Sequence, residues 1–250
     1  MRNSLVFKIS FWIIFIFIWY LMGSAINSKL ILPLPHKVLY KVLELFSERN
    51  FYHHLFITLL RSIGGFILAL FLGFLLGYIK NKFLYSAIRN IIDIFQSNPL
   101  IVWITIALFW FGFGNKTIVF TVFIVLFPNF YLITYNTINN IPKEYIELFK
   151  IYPISRKKYL TKFLIPYLKP FLLPTLANSI ISSLKITAMA EFLSGESGIG
   201  FLLSYAKTFL NTEEVYAYAV ILFVFSKILE FIFIRLGILK GDRNYGFSES

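Results

Sequence analysis

The chain has 250 residues, of which 58% are hydrophobic and only 14% charged; phenylalanine alone takes 30 positions and tyrosine 15. A soluble domain carries about 25% charged residues, and a globule of this size cannot bury so many apolar side chains. The absence of cysteine excludes a disulfide-stapled secreted module. A formal net charge of +12 would suggest nucleic acid in a soluble chain. In an apolar chain it reads as basic residues at the cytoplasmic face of a membrane, so the expected surroundings are a lipid bilayer and no nucleic acid.

A bilayer core of ~30 Å needs about 20 helical residues. Apolar stretches at about 9–28, 58–79, 84–113, 117–138, 170–192 and 213–236 meet that length. They predict one all-α, polytopic domain over residues 1–250 with six transmembrane helices, which puts both termini on the same side. Outside the charge-free cores of these runs, 15 basic residues fall on segments that an inside N-terminus places inside, and 7, Arg61 among them, on segments placed outside. That bias predicts a multi-pass protein of the cell (inner) membrane with both termini cytoplasmic. The first run has a basic start and a small-residue patch, Gly23-Ser24-Ala25, as a signal peptide does; its length favours a retained anchor.

Next in chain order comes an external segment, about 33–50. After Pro33 and Pro35, Val38, Leu39, Val42, Leu43, Leu45 and Phe46 recur at helical spacing with Lys37, Lys41, Glu44 and Glu48 interleaved. This predicts an amphipathic helix on the outer surface or a solvated cap. In the second span Gly65, Ala69, Gly73 and Gly77 repeat every four residues, a face that lets another helix approach closely. The connection at about 139–169 is cytoplasmic and strongly basic. Pro142 suits a helix start, with Glu144 and Glu147 in the first turns, where carboxylates favour the helix dipole. Pro153 breaks the chain, and Ser155 is a candidate N-cap for a second, basic helix to Ile165, followed by Pro166, Pro170 and Pro174. The pattern is a helix–turn–helix outside the membrane, either docking a partner or serving as a plain basic loop.

Charge at bilayer depth is costly and faces a protein interior or a watery path. Lys227 and Glu230 are three apart, placed to pair. Lys185 lines a path or meets Asp93. Glu191 ends the fifth span, ahead of the glycine-rich run 194–200, a loop or re-entrant turn on the outer side that gates the path or merely connects. No P-loop, nucleophile elbow or cysteine nucleophile is present. His53-His54 lacks further clustered ligands and reads as interfacial rather than as a metal site. No catalytic residue, metal or cofactor is therefore expected. A carrier or channel needs none; a membrane-embedded enzyme acting on lipids, or a passive channel, stays as the alternative.

One stretch resembles a known signature. Glu147-Leu148-Phe149, three residues, Pro153, nine residues, then Phe163-Leu164-Ile165-Pro166 is similar in spacing to the Glu-Ala-Ala, Gly, Ile-x-Leu-Pro loop of membrane subunits of binding-protein-dependent ABC importers. Glu147 and Pro166 are retained, both alanines are bulkier residues, and the glycine is Pro153. The flanks resemble the nitrate, sulfonate and taurine branch in order along the chain: 32–39 for its Pro-x-x-Val-Leu opening, 58–66 for its Ser-Leu-x-Arg-x-x-x-Gly-Phe segment, 109–114 for its Trp-Phe-Gly-x-Gly turn, then Ala190-Glu191 and Gly198-Ile199-Gly200. The resemblance implies a type I importer permease and not an enzyme. It also implies a separate ABC ATPase that binds the ATP, a periplasmic or lipid-anchored solute-binding protein, and a second, usually identical, permease copy. It implies that Glu144, Glu147, Leu148, Phe149, Pro153, Ile165 and Pro166 couple to the ATPase, and that Lys185, Glu191, Gly198 and Gly200 shape the path or its outer gate. The cargo it implies is a small solute, either an anion of the nitrate, sulfonate or taurine kind or a vitamin precursor.

Overall fold

The computed structural model describes residues 2–79, 81–152 and 154–239, and every regular element among them is helical. In order these are α1 (Arg2–Ile26), α2 (Pro35–Ser47), α3 (Arg49–Gly77), α4 (Lys82–Ser97), α5 (Leu100–Phe111), α6 (Asn115–Asn139) and α7 (Lys143–Ile151). Then come α8 (Arg156–Lys158), a π-helical turn Tyr159–Leu164, α9 (Ile165–Ser194), α10 (Ile199–Thr208) and α11 (Thr212–Arg235). α3, α6, the continuous run Arg156–Ser194 and α11 are each long and apolar enough to cross a bilayer, and α1 carries a further apolar stretch, Ser10–Ile26.

Two elements differ from the sequence expectation. The third predicted span is α4 and α5, bent by 108°. Pro99 has no N–H to donate and forces the residue before it out of the helical region; Asn98 accordingly sits at φ −100°, ψ 141°. The Trp103 indole N–H donates to the Phe95 carbonyl at 3.1 Å across the bend. At 12 residues, α5 reaches only ~18 Å, short of a ~30 Å core by itself. The second difference is at the elbow between α7 and α9. Ser155 caps α8 as expected, its Oγ accepting from the Lys158 N–H. That turn does not end at Ile165 but runs through the π turn into α9, past Pro166, Pro170 and Pro174. Prolines four apart lie along one side of a helix, and membrane helices tolerate the lost bonds.

The small-residue stripe does what its spacing suggests. A Cβ on Gly65 would stand 2.5 Å from Val122 Cβ, one on Gly73 2.6 Å from Phe130 Cβ, and one on Gly77 2.9 Å from Thr134 Cβ. α3 and α6 therefore pack backbone to backbone around a core that includes Ala69, Val122, Leu126 and Phe130. α2 buries Val38, Val42 and Leu45, not against lipid but against α11, where Lys41 reaches Glu214 at 3.0 Å. α1 leans on α11 through Trp12 and Phe223, 6.0 Å apart, and through Trp19 and Tyr216, 5.8 Å apart. Ile63, Ile67 and Phe71 on α3, and Phe223, Ile228 and Phe231 on α11, stand exposed, an apolar exterior suited to acyl chains.

Candidate functional site

Three places on this frame carry polar chemistry. The first is near the end of α9 away from the elbow, expected from the sequence to face outward, where α3, α6, α9 and the turn before α10 meet. Glu191 is fully buried and Arg61 only 6% exposed. Arg61 Nη1 donates to Glu191 Oε1 at 2.9 Å and to the Ser197 carbonyl at 2.6 Å. Its Nη2 donates to Ser197 Oγ at 2.9 Å and its Nε to Asn115 Oδ1 at 2.6 Å. The other carboxylate oxygen accepts from the Thr58 hydroxyl at 2.8 Å and from the Gly200 N–H at 3.1 Å. Thr58 Oγ1 in turn accepts from the Ile199 N–H at 2.8 Å, and His54 Nδ1 from the Gly198 N–H at 2.9 Å. Both charges are thus neutralised and hydrogen-bonded, the condition under which a buried pair is tolerated.

Glycine makes this closure possible. Gly198 has φ +105°, and a Cβ there would collide with the Glu191 carboxylate; a Cβ on Gly200 would collide with the Ala188 carbonyl. The expected trio Glu191, Gly198 and Gly200 therefore does come together, and the run after Glu191 is a tight turn leading into α10 rather than an open loop. Arg61 is the residue that sequence reasoning misplaced. Assigned to the outer surface, it is buried among helices instead. A lone arginine inside an apolar helix, matched by one lone carboxylate in another, was the available signal.

The second place is the elbow formed by α7, α8 and the π turn. α7 has Glu144 in its first turn and Lys150 in its last, matching the helix dipole. Glu144, Glu147, Leu148 and Ile151 are all exposed, and they share the i, i+3, i+4, i+7 face. The opposite face is clasped to its own chain: Phe149 meets Phe163 edge-on at 4.7 Å and Tyr159 at 5.4 Å, and Tyr145 lies 5.3 Å from Phe163. Phe149 thus points inward, while Leu148, Ile165 and Pro166 point out. Pro153 lies outside the described residues.

The third place lies between. α6 and α9 border a groove of 380 Å³ lined by Asn129, Asn136, Asn178, Ser179 and Ser182 among others. Beside it a groove of 440 Å³ opens between α9, α10 and α11, with Lys185, Lys227 and Glu230 in its wall. Lys227 pairs with Glu230 at 2.7 Å, as their spacing suggested. Asp93 pairs with Arg89 at 3.1 Å rather than with Lys185, because one helical turn brings those two side chains together. Lys185 makes no salt bridge among the described residues.

The comparisons agree with this geometry. A protein of Methanocaldococcus jannaschii assigned as an ABC transporter permease is 27% identical over 245 residues, covering 91% of this chain and 88% of the relative. A Bacillus subtilis protein assigned as an aliphatic sulfonates transport permease is 25% identical, covering 89% and 82%. Among solved structures, a chain of the MetNI methionine ABC transporter in inward-facing conformations superposes with a TM-score of 0.60 at 20% identity, over 80% of this chain and 99% of that one; this shows a shared fold. The family model for the binding-protein-dependent transport system inner membrane component matches residues 65–236. That stretch runs from the small-residue face of α3 through the elbow and the outer network to the end of α11, and this chain belongs to that family.

Proposed function

We propose that this permease component of a binding-protein-dependent ABC importer crosses the membrane six times, with the bent α4–α5 pair as its third crossing and both termini in the cytoplasm. In this reading two copies enclose the path, a separate ATPase seats against the outward face of α7, and a solute-binding protein delivers cargo to the outer end. The cargo is a small solute, an anion of the sulfonate or nitrate kind or a vitamin precursor.

The observation that carries this reading is the course of one helix. α9 runs without interruption for 30 residues from Ile165 at the elbow to Ser194, ~45 Å at 1.5 Å per residue, with the buried Glu191 in its last turn. At its cytoplasmic end the aromatic clasp of Tyr145 and Phe149 on Phe163 ties it to α7. The π turn and the three prolines loosen its hydrogen-bond ladder just where it leaves the elbow. A displacement imposed on α7 is therefore delivered to a stiff rod whose far end holds one wall of the outer network.

Glu147→Arg tests the coupling. Glu147 is exposed, so the variant is expected to insert and fold normally, while ATP hydrolysis by the co-reconstituted ATPase no longer drives uptake into proteoliposomes. Unchanged uptake would overturn the coupling role of α7.

A further inference from the structure

Beside Leu132 and Ile133, the groove between α6 and α9 is lined by six amide and hydroxyl side chains that lipid would not accept. Asn129 and Asn136 stand two turns apart on α6, and Asn178, Ser179 and Ser182 share one face of α9. The three amides stand exposed and make no side-chain hydrogen bond among the described residues. Ser179 is only 2% exposed, yet its hydroxyl has no partner there and opens on the groove. Unpaired amides at this depth are unfavourable against acyl chains and favourable against water or a polar solute.

Lys185 continues the same exposed side of α9. It lies three residues beyond Ser182, ~4.5 Å further along the axis, and lines the neighbouring groove together with Lys227 and Glu230. The other charges at this depth cancel: Arg61 with Glu191 at 2.9 Å, Lys227 with Glu230 at 2.7 Å, and Arg89 with Asp93 at 3.1 Å. What remains is one ammonium a turn away from Ser182, whose groove has no carboxylate in its lining; the carboxylate of the groove that Lys185 itself lines, Glu230, is held by Lys227.

The geometry points to this face as the wall of the solute path, built for a small oxyanion whose acceptor oxygens take N–H and O–H bonds from the wall while Lys185 supplies the counter-charge. The inference deepens the transport reading by choosing the anion over the heterocyclic vitamin precursor.

The chain contains no cysteine, which allows a test independent of the ATPase and of any cargo. Single cysteines replace Asn136, Asn178 or Ser182 in the full chain in membrane vesicles. Each is treated with a methanethiosulfonate bearing either a sulfonate or a trimethylammonium group, and the rates are normalised to a free thiol in solution. All three sites are expected to react, the anionic reagent being preferred by about tenfold at Ser182→Cys, with the preference abolished by adding Lys185→Gln. Inert cysteines at all three sites, with an Ile151→Cys control on α7 reacting, would overturn the water-filled wall. Reaction without anionic preference, or a preference that survives Lys185→Gln, would overturn the oxyanion assignment and leave the transport reading standing. Failure of that reading would show instead as unchanged uptake in Glu147→Arg.

Discussion

The outer network and the α6–α9 groove are both polar places in an apolar molecule, and both use α6 and α9. They differ in how their polar groups are satisfied. At the outer network a full charge pair is hidden, and each oxygen of Glu191 has a partner: Arg61 on one side, Thr58 and Gly200 on the other. In the groove the groups are neutral, the three amides are exposed, and neither they nor Ser179 and Ser182 have a side-chain partner among the described residues. The first arrangement fixes one packing of four elements; the second is chemistry left free for something that comes and goes. Satisfaction, more than polarity, separates a lock from a path.

The largest effect is expected where partners are removed from the lock. Glu191→Leu leaves the Arg61 guanidinium buried and unpaired, which costs about 3–5 kcal/mol. It should lower the melting temperature of the detergent-solubilised protein by about 10 °C. Adding Arg61→Leu removes the stranded charge, so the double variant should recover at least half of the loss. If the single and double variants melt together, the pair is not what closes the outer end.

The groove should behave in the opposite way. Asn136→Leu with Asn178→Leu breaks no hydrogen bond seen here and lies on exposed faces, so stability should change by no more than ~0.5 kcal/mol. Uptake by the assembled transporter should nonetheless fall about tenfold, since two donors on the wall are gone. A melting shift as large as that of Glu191→Leu would make the groove a structural contact and erase the distinction.

Much of this was legible in the sequence, and what was not has a physical reason. The α3 stripe, the Ser155 cap, the Lys227–Glu230 pair and the α2 amphipathic face are local patterns, readable because partners lie three or four residues apart or because one periodicity defines a face. Glu191 with Gly198 and Gly200 was legible because it lies within ten residues of chain. Arg61 was not: its partners are 54 to 136 positions away, and counting charges by loop put it on a surface although it is buried. The bend at Pro99 was visible as a residue but was absorbed into a long apolar run, because hydropathy averages over the one missing N–H that turns the chain. The groove needed two helices to be seen at all, since α6 supplies Asn129 and Asn136 while α9 supplies Asn178, Ser179 and Ser182.

A third polar contact isolates burial from pairing. Lys41 Nζ bridges Glu44 at 3.2 Å and Glu214 at 3.0 Å at the outer surface, partnered but in reach of solvent. Partial burial pulls its pKa down, yet the hydrogen bonds to Glu214 and Glu44 outweigh that and leave it raised above the usual 10.5. A raised lysine pKa means the charged pair stabilises the fold fully below 10.5, and that the stabilisation fades as pH climbs through the folded value. Lys41→Met should therefore cost no more than about 1 kcal/mol, a loss constant between pH 7 and 9. In thermal melts the gap from wild type should begin to close only above pH 10.5, as the wild-type ammonium is itself lost. A loss rivalling that of Glu191→Leu would show that pairing between α2 and α11, rather than burial, sets what an ion pair is worth in this protein.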